Sequence, residues 1–283
     1  MIRIVLLGRT GNNMFQYALG RVLAEQYGVP LVIDASWFNA AGWAEVSYFL
    51  KLPLRAKVVR RFSIGTRVLR KLTRKHYWEY RGVPVLRENP LDQSFDSRFL
   101  AAPADCMLFG YFQTPRYFAA RAAGFREELR GLLESGAGIG AEWRAKLGKS
   151  GTVAVHVRRT DYLTHPVFLV CDLSYYRAAM TRMREWVANA QFYIFSDDPA
   201  WCREMFREDD VVVVGSLAVN PLHDMYLMSL ASHHIIANSS YSWWGAWLAE
   251  QSGQRVIMPE RWYVDEIVAP IEEKRMDHWS VLQ

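Results

Sequence analysis

Three cysteines in 283 residues, Cys106, Cys171 and Cys202, are too few and too widely spaced for a disulfide framework, and without a Cys-x-x-Cys pair they imply no zinc site. Long apolar runs are missing too. No window approaches the ~18 uninterrupted apolar residues of a membrane span, and the Met1–Leu7 opening meets Gly8 too early for a signal peptide. A reducing, cytoplasmic setting is expected, with at most a surface contact to the inner face of a membrane. The chain contains no Asp-x-Asp and no clustered divalent-ion ligands, so no metal is predicted. Repeats and low-complexity tracts are absent as well.

Aromatics, by contrast, are plentiful: 14 Phe, 14 Tyr and 11 Trp in a chain 51% hydrophobic and 22% charged. That composition excludes disorder and supplies ring surface for the walls of a site as well as for cores. The net charge of +5 is unevenly distributed. Residues 51–75 hold Lys51, Arg55, Lys57, Arg60, Arg61, Arg67, Arg70, Lys71, Arg74 and Lys75 with no acid among them, and the rest of the chain is mildly acidic. The plainer reading of this basic insertion is a solvated, partly helical surface. The sharper one uses Val58, Val59, Phe62, Val68, Leu69 and Leu72, interleaved with the cations, as an interfacial helix docking on anionic lipid. No aromatic-basic recognition motif accompanies the cations, so nucleic acid is not expected as a partner.

Short β-branched runs at Thr152–Val157, Gln191–Phe195, Val211–Val214, His234–Ala237 and Arg255–Met258 read as strands. Helical patterns near 174–189, 199–207, 222–232 and 241–251 separate them, and Pro199 and Pro221 stand at helix starts. Continuous apolar strands alternating with helices predict a parallel sheet covered on both faces. The first half opens alike: a strand at Ile2–Leu7, a helix over Asn13–Tyr27, a strand at Leu31–Ile33, then after an unassigned middle a strand at Met107–Tyr111 and a helix over Arg116–Glu134. A Gly/Ser-rich passage through 135–140 and 148–151 suggests the division. The expectation is an α/β chain of two domains, 1–147 and 148–283, meeting at a cleft.

Ligands of such sheets lie beyond the carboxyl ends of the strands. After 152–155 comes His156-Val-Arg158-Arg159-Thr-Asp161-Tyr162, where two adjacent guanidiniums suit a diphosphate, unless they form an ordinary surface pair. Strand 191–195 ends in Ser196-Asp197-Asp198-Pro199, whose carboxylates suit ribose or a guanine edge, or cap the next helix. Strand 234–237 runs into Asn238-Ser239-Ser240-Tyr241-Ser242-Trp243-Trp244, hydroxyls gathered at a helix start as for an anion, or a plain cap before an aromatic core face. His233 and His234 read as buried histidines. The Gly8-Arg9-Thr10-Gly11-Asn12-Asn13 turn lacks dinucleotide and P-loop patterns and indicates only close backbone approach, with Asn12 and Gln16 facing a cleft.

Together, residues 8–18, Gly110-Tyr111-Phe112-Gln113, 156–162, 196–198 and 238–248 resemble the alpha-1,2-fucosyltransferase family (glycosyltransferase family 11), and more distantly the alpha-1,6- and protein O-fucosyltransferases. Thr10, Asn13 and Tyr241 depart from the family pattern, which bears on acceptor preference more than on donor. Residues 51–100 match nothing in it. The resemblance implies a GT-B fold of two Rossmann-like domains, with the acceptor on the first and GDP-fucose on the second. It implies no cofactor and no metal, and inverting transfer to the 2-hydroxyl of a galactose-containing oligosaccharide or lipid-linked glycan. Arg158, assisted by Arg159 and Asn12, would neutralise the departing β-phosphate. Asp197 and Asp198 would hold ribose or guanine, Asn238, Ser239, Ser240 and Ser242 the diphosphate, and His156 and Asp161 would shape the pocket. Asp161, His165, Asp224 and His223 remain candidates for a general base, and a structural pairing of Asp161 with Arg158 or Arg159 stands beside the first of them.

Overall fold

The computed structural model describes residues 1–36, 38, 48–60, 77–137, 141–214, 220–264 and 270–282. They form two compact units, Met1–Phe125 and Arg126–Gln283, each built on an all-parallel sheet. This is the expected α/β architecture with two Rossmann-like units. The division falls earlier than the Gly/Ser-rich passage suggested. It cuts the helix Ala122–Ala137, whose Phe125 packs on Tyr17 and Phe118 of the first unit while Arg126 lies over Trp247 of the second.

In the first unit, strands β1 (Ile2–Val5), β2 (Leu31–Asp34), β3 (Lys57–Val59), β4 (Val85–Arg87) and β5 (Cys106–Phe109) take the order β3-β2-β1-β5-β4. Helix α1 (Thr10–Gln26) follows β1, and the single turn α2 (Tyr77–Tyr80) precedes β4. β1 and β2 are buried along their whole length, as continuous apolar strands covered on both faces require. Val58 and Val59 lie in β3, paired with β2, and not on an amphipathic helix: β-branched side chains favour that edge strand. Residues 61–76, the bulk of the basic segment, lie outside the described residues.

The second unit contains α3 (Ala122–Ala137, mostly within it), α4 (Ala141–Leu147), β6 (Thr152–Val157), α5 (Leu173–Trp186), β7 (Gln191–Ser196), α6 (Pro199–Met205), β8 (Val211–Val213), α7 (Pro221–Met228), β9 (His233–Ile235), α8 (Ser240–Leu248), β10 (Val256–Pro259) and β11 (Ser280–Leu282). Its order is β11-β10-β9-β6-β7-β8. Val153, Val155, Phe192 and Ile194 meet Tyr176, Met180 and Met183 of α5 in one core. Side-chain caps set three helix starts: Asp172 accepts from Tyr175 N–H (2.9 Å), Asp198 from Trp201 N–H (3.2 Å) and Asn220 from Leu222 N–H (3.0 Å). Trp243, Trp244, Trp247 and Trp279 are all buried, so much of the aromatic surplus packs behind α8. Cutting one of these indoles back to alanine typically costs about 3–5 kcal/mol.

Strand order reverses between β1 and β5 in the first unit and between β6 and β9 in the second. Those reversals open crevices above the carboxyl ends of the strands, and they place the loops considered next. Among the described residues no helix is long and apolar enough to cross a membrane.

Candidate functional site

At the reversal in the second unit, the loop after β6 folds around Arg158. Its guanidinium pairs with Asp161 (2.7 Å) and Asp197 (3.2 Å) and lies 5.7 Å from the Tyr162 ring centre, with 18% of the side chain exposed. Two carboxylates thus hold one planar fork at the edge of the crevice. Asp197 also accepts from Arg159 N–H (2.9 Å), Thr160 N–H (3.2 Å) and the Thr160 hydroxyl (2.5 Å). Burial pushes its carboxyl up, but the Arg158 charge and these donors outweigh that and hold it below the usual range. Asp197 therefore braces the loop, and its oxygens are engaged by the chain itself. Asp198 caps α6 and receives the Arg159 Nε–H (3.1 Å), while the Arg159 guanidinium stacks over Trp201 at 3.7 Å. Arg159 is thereby drawn toward α6, and Asp161 takes the structural pairing with Arg158.

Across the reversal, β9 leads to α8. Ser239 at the cap position makes no side-chain hydrogen bond to the helix, so the positive end of α8 is not answered by its cap residue. Ser239 and Ser240 stand at that end. Asn238 and Ser242 are turned inward. The Asn238 side-chain amide donates to Phe168 O (3.1 Å) and Trp262 O (2.9 Å), and the Asn238 main-chain carbonyl accepts from the Tyr162 hydroxyl (3.0 Å). Ser242, 1% exposed, returns its hydroxyl to Ser239 O (3.2 Å). Both side chains fasten loops here, their donors meeting backbone carbonyls.

Behind Arg158 lies a buried polar cluster. The ring of His156, on β6, is 5.4 Å from that of Tyr241, whose hydroxyl donates to Pro221 O. Burial, reinforced by the Arg158 charge, lowers His156 to about 3, so it is neutral. Burial alone raises Asp224, on α7, to about 7. His223 Nδ1 stands 3.6 Å from Asp224 Oδ1, and burial lowers that imidazole too. Among the described residues His156 Nδ1 and Asp224 Oδ1 have no hydrogen-bond partner. Each of these atoms can accept or donate one further hydrogen bond, from water or from a ligand. His165 is exposed on the short helical turns after Tyr162, its ring edge-on to Phe168.

The first unit has its own reversal site. Gly8 adopts φ +68°, and a Cβ there would fall 2.1 Å from Asn12 Nδ2. Gly8→Ala is accordingly expected to lower thermal stability by about 1–3 kcal/mol, read as a fall in Tm. Gln16 is fully buried: it accepts from Leu7 N–H (3.1 Å) and donates to Gly110 O (2.9 Å). With both ends of its amide engaged, it ties the end of β1 to the turn after β5. Asn12 stays at the crevice, accepting from Gln113 Nε2 (2.9 Å). Glu88, which the sequence did not single out, follows β4 and accepts from Tyr111 N–H (2.6 Å) and Phe112 N–H (2.9 Å). In the sequence it is only an acid after Val85-Leu86-Arg87, with no motif to mark it.

Residues 88–283 match the model of glycosyl transferase family 11. An alpha-1,2-colitosyltransferase of Escherichia coli is 36% identical over 56% of this chain, a match spanning little more than half (56%) of that relative's length. The O-antigen biosynthesis glycosyltransferase WbnK of Escherichia coli is 27% identical over 97% of this chain and 98% of its own. Galactoside alpha-(1,2)-fucosyltransferase 2 of Mus musculus is 27% identical over 86% of this chain and 67% of its own. The family model starts at Glu88 and takes in the Gly110–Gln113 turn, the Arg158 loop and the start of α8, so the chain belongs to glycosyl transferase family 11.

Proposed function

We propose that this chain transfers L-fucose from GDP-β-L-fucose to the 2-hydroxyl of a terminal galactoside, with inversion and without a metal ion. The observation that carries the reading is Arg158, braced by Asp161 and Asp197 on the far side of the strand reversal from the uncapped start of α8. A diphosphate held there meets a fixed guanidinium and the positive end of a helix, and both stabilise the charge that develops on the β-phosphate as GDP departs. A metal ion does this work in many transferases. Ser239 and Ser240 line the same helix end. The open positions on Asp224 and His156 suit guanine, whose ring N–H and amino group form a donor pair that an ionised carboxylate accepts. Asp197 and Asp198 act indirectly, by holding Arg158 and Arg159. The transition state is strongly cation-like, so activation of the acceptor hydroxyl contributes less than stabilisation of the leaving group.

The acceptor, an oligosaccharide or lipid-linked glycan ending in galactose, is assigned to the first unit. A contact of segment 51–75 with anionic membrane would keep the enzyme near a lipid-linked acceptor. A second reading, transfer of colitose, is favoured by the colitosyltransferase relative. Both are tested by offering GDP-fucose, GDP-colitose, GDP-mannose and UDP-galactose with a galactoside in excess chelator. Turnover of GDP-fucose undiminished by chelator is expected. Turnover of GDP-colitose alone selects the second reading, and inactivation reversed by magnesium or manganese contradicts metal independence.

A further inference from the structure

We propose that Glu88 is a positioning residue for the acceptor, holding the Gly110–Gln113 turn so that Tyr111 and the Asn12–Gln113 amide pair form the face on which the galactoside lies. The proposal rests on the reading that the first unit takes the acceptor.

The turn is forced into a shape it does not adopt unaided. Phe112 has φ +53°, the left-handed region that a bulky side chain avoids. Its ring is fully buried against Phe99 and Tyr117, so the residue cannot relax by swinging outward. Both oxygens of Glu88, itself 8% exposed, take the successive N–H groups of Tyr111 and Phe112 that this conformation directs to one side. Gly110 completes the clamp: a Cβ there would stand 2.4 Å from Glu88 Cβ, so the carboxylate's approach requires glycine. Gln16 fixes Gly110 O from beneath.

What is held is the edge of the crevice at the β1/β5 reversal. Gln113 reaches across it to Asn12, and Tyr111 lies against the Gly8 turn, its Cε1 3.2 Å from where a Gly8 Cβ would stand. A partly exposed tyrosine beside the partly exposed Asn12 amide, which the buried Gln113 holds in place, offers a sugar an apolar ring face together with a polar group for its hydroxyls. Backbone strain fixed by a buried carboxylate at a ligand crevice is the pattern of a pre-organised binding site.

The test uses Glu88→Gln. One accepting oxygen becomes an N–H that faces a main-chain N–H, so the turn opens while side-chain size is kept. Calorimetric titration with lactose, in the presence of GDP, is expected to show at least tenfold weaker galactoside binding, with GDP affinity within twofold of wild type. In turnover, acceptor KM rises by a similar factor while kcat changes less. Unchanged lactose affinity in the folded variant overturns the proposal, as does an equal loss of GDP affinity, which would mark general damage. Should Glu88→Gln fail to fold, Gln113→Leu removes the donor to Asn12 with the clamp intact. A fivefold loss of lactose binding is expected there, and none contradicts the proposal. A wild-type protein that binds lactose but never turns over GDP-fucose refutes the donor reading and leaves this one standing.

Discussion

Arg158→Ala is expected to reduce transfer by about 10²–10³-fold or more, the usual consequence of removing one preorganised donor from a developing oxyanion, and to weaken GDP binding alongside it. The size of the effect follows from the surroundings. Arg158 is held by Asp161 (2.7 Å) and Asp197 (3.2 Å), and 18% of its side chain is exposed. Its loss deprives the diphosphate of charge and leaves two neighbouring carboxylates uncompensated, so the site becomes repulsive to an anion. Arg158→Lys restores the charge but not the fork, and recovers little. Steady-state kinetics with GDP-fucose and lactose, together with calorimetry on GDP, provide the readout. Unaltered GDP affinity in a folded Arg158→Ala protein would remove Arg158 from the donor site.

The second large effect concerns Asp224. Burial raises its carboxyl to about 7 in the ligand-free protein, whereas in the unfolded chain it titrates near the ordinary value of about 3.9. Between those values the native state holds a proton that the unfolded state has lost. Stability conferred by the neutral carboxyl is complete below about pH 4 and declines as pH rises through about 7, by on the order of 4 kcal/mol across the window. Asp224→Asn removes that slope, so thermal scans at pH 5 and pH 8 should differ less than in wild type.

On the proposed reading guanine is held by the ionised carboxylate, so donor binding runs the opposite way. GDP affinity is expected to rise roughly tenfold between pH 6 and pH 8 beyond any change seen in Asp224→Asn, which corrects for titration of the nucleotide itself. Asp224→Asn retains the neighbouring titratable groups, so the difference between the two proteins isolates the carboxyl. His156, at about 3, and Tyr241, raised well above 10, keep one protonation state throughout, and burial lowers His223 below its ordinary value. At pH 8 Asp224→Asn should lose about tenfold to a hundredfold in GDP affinity, the worth of hydrogen bonds to a charged acceptor, while ADP binding stays as weak as before. Equal GDP affinity in both proteins would show that guanine is recognised elsewhere.

The central strands of the second unit were legible because their apolar runs are unbroken. β6 is buried throughout, and the polar run starting at Arg158 marks where it leaves the sheet. The Pro199 and Pro221 helix starts were legible for the same local reason. What could not be read is which polar groups are already answered by the chain. Asp197 looked like a ribose acceptor until Arg158, Arg159 N–H and Thr160 were seen to converge on it. Gln16 looked like a cleft residue until its amide was found bridging Leu7 and Gly110, residues 94 positions from it in the second case. Asp224 is the converse, an acid among apolar helix neighbours whose open oxygen appears only when α7 packs beside α8. β3, β4 and β11 were missed because, unlike the equally short β8, they are not unbroken β-branched runs: Lys57, Arg87 and Ser280 leave too few apolar residues to stand out.

Linkage analysis of the product formed from GDP-fucose and a galactoside tests the central claim most directly. A single fucose joined α-1,2 to the terminal galactose is the predicted result. Fucose on any other hydroxyl, retention of the donor's β configuration, or an acceptor left unmodified while a different nucleotide sugar is consumed would contradict it.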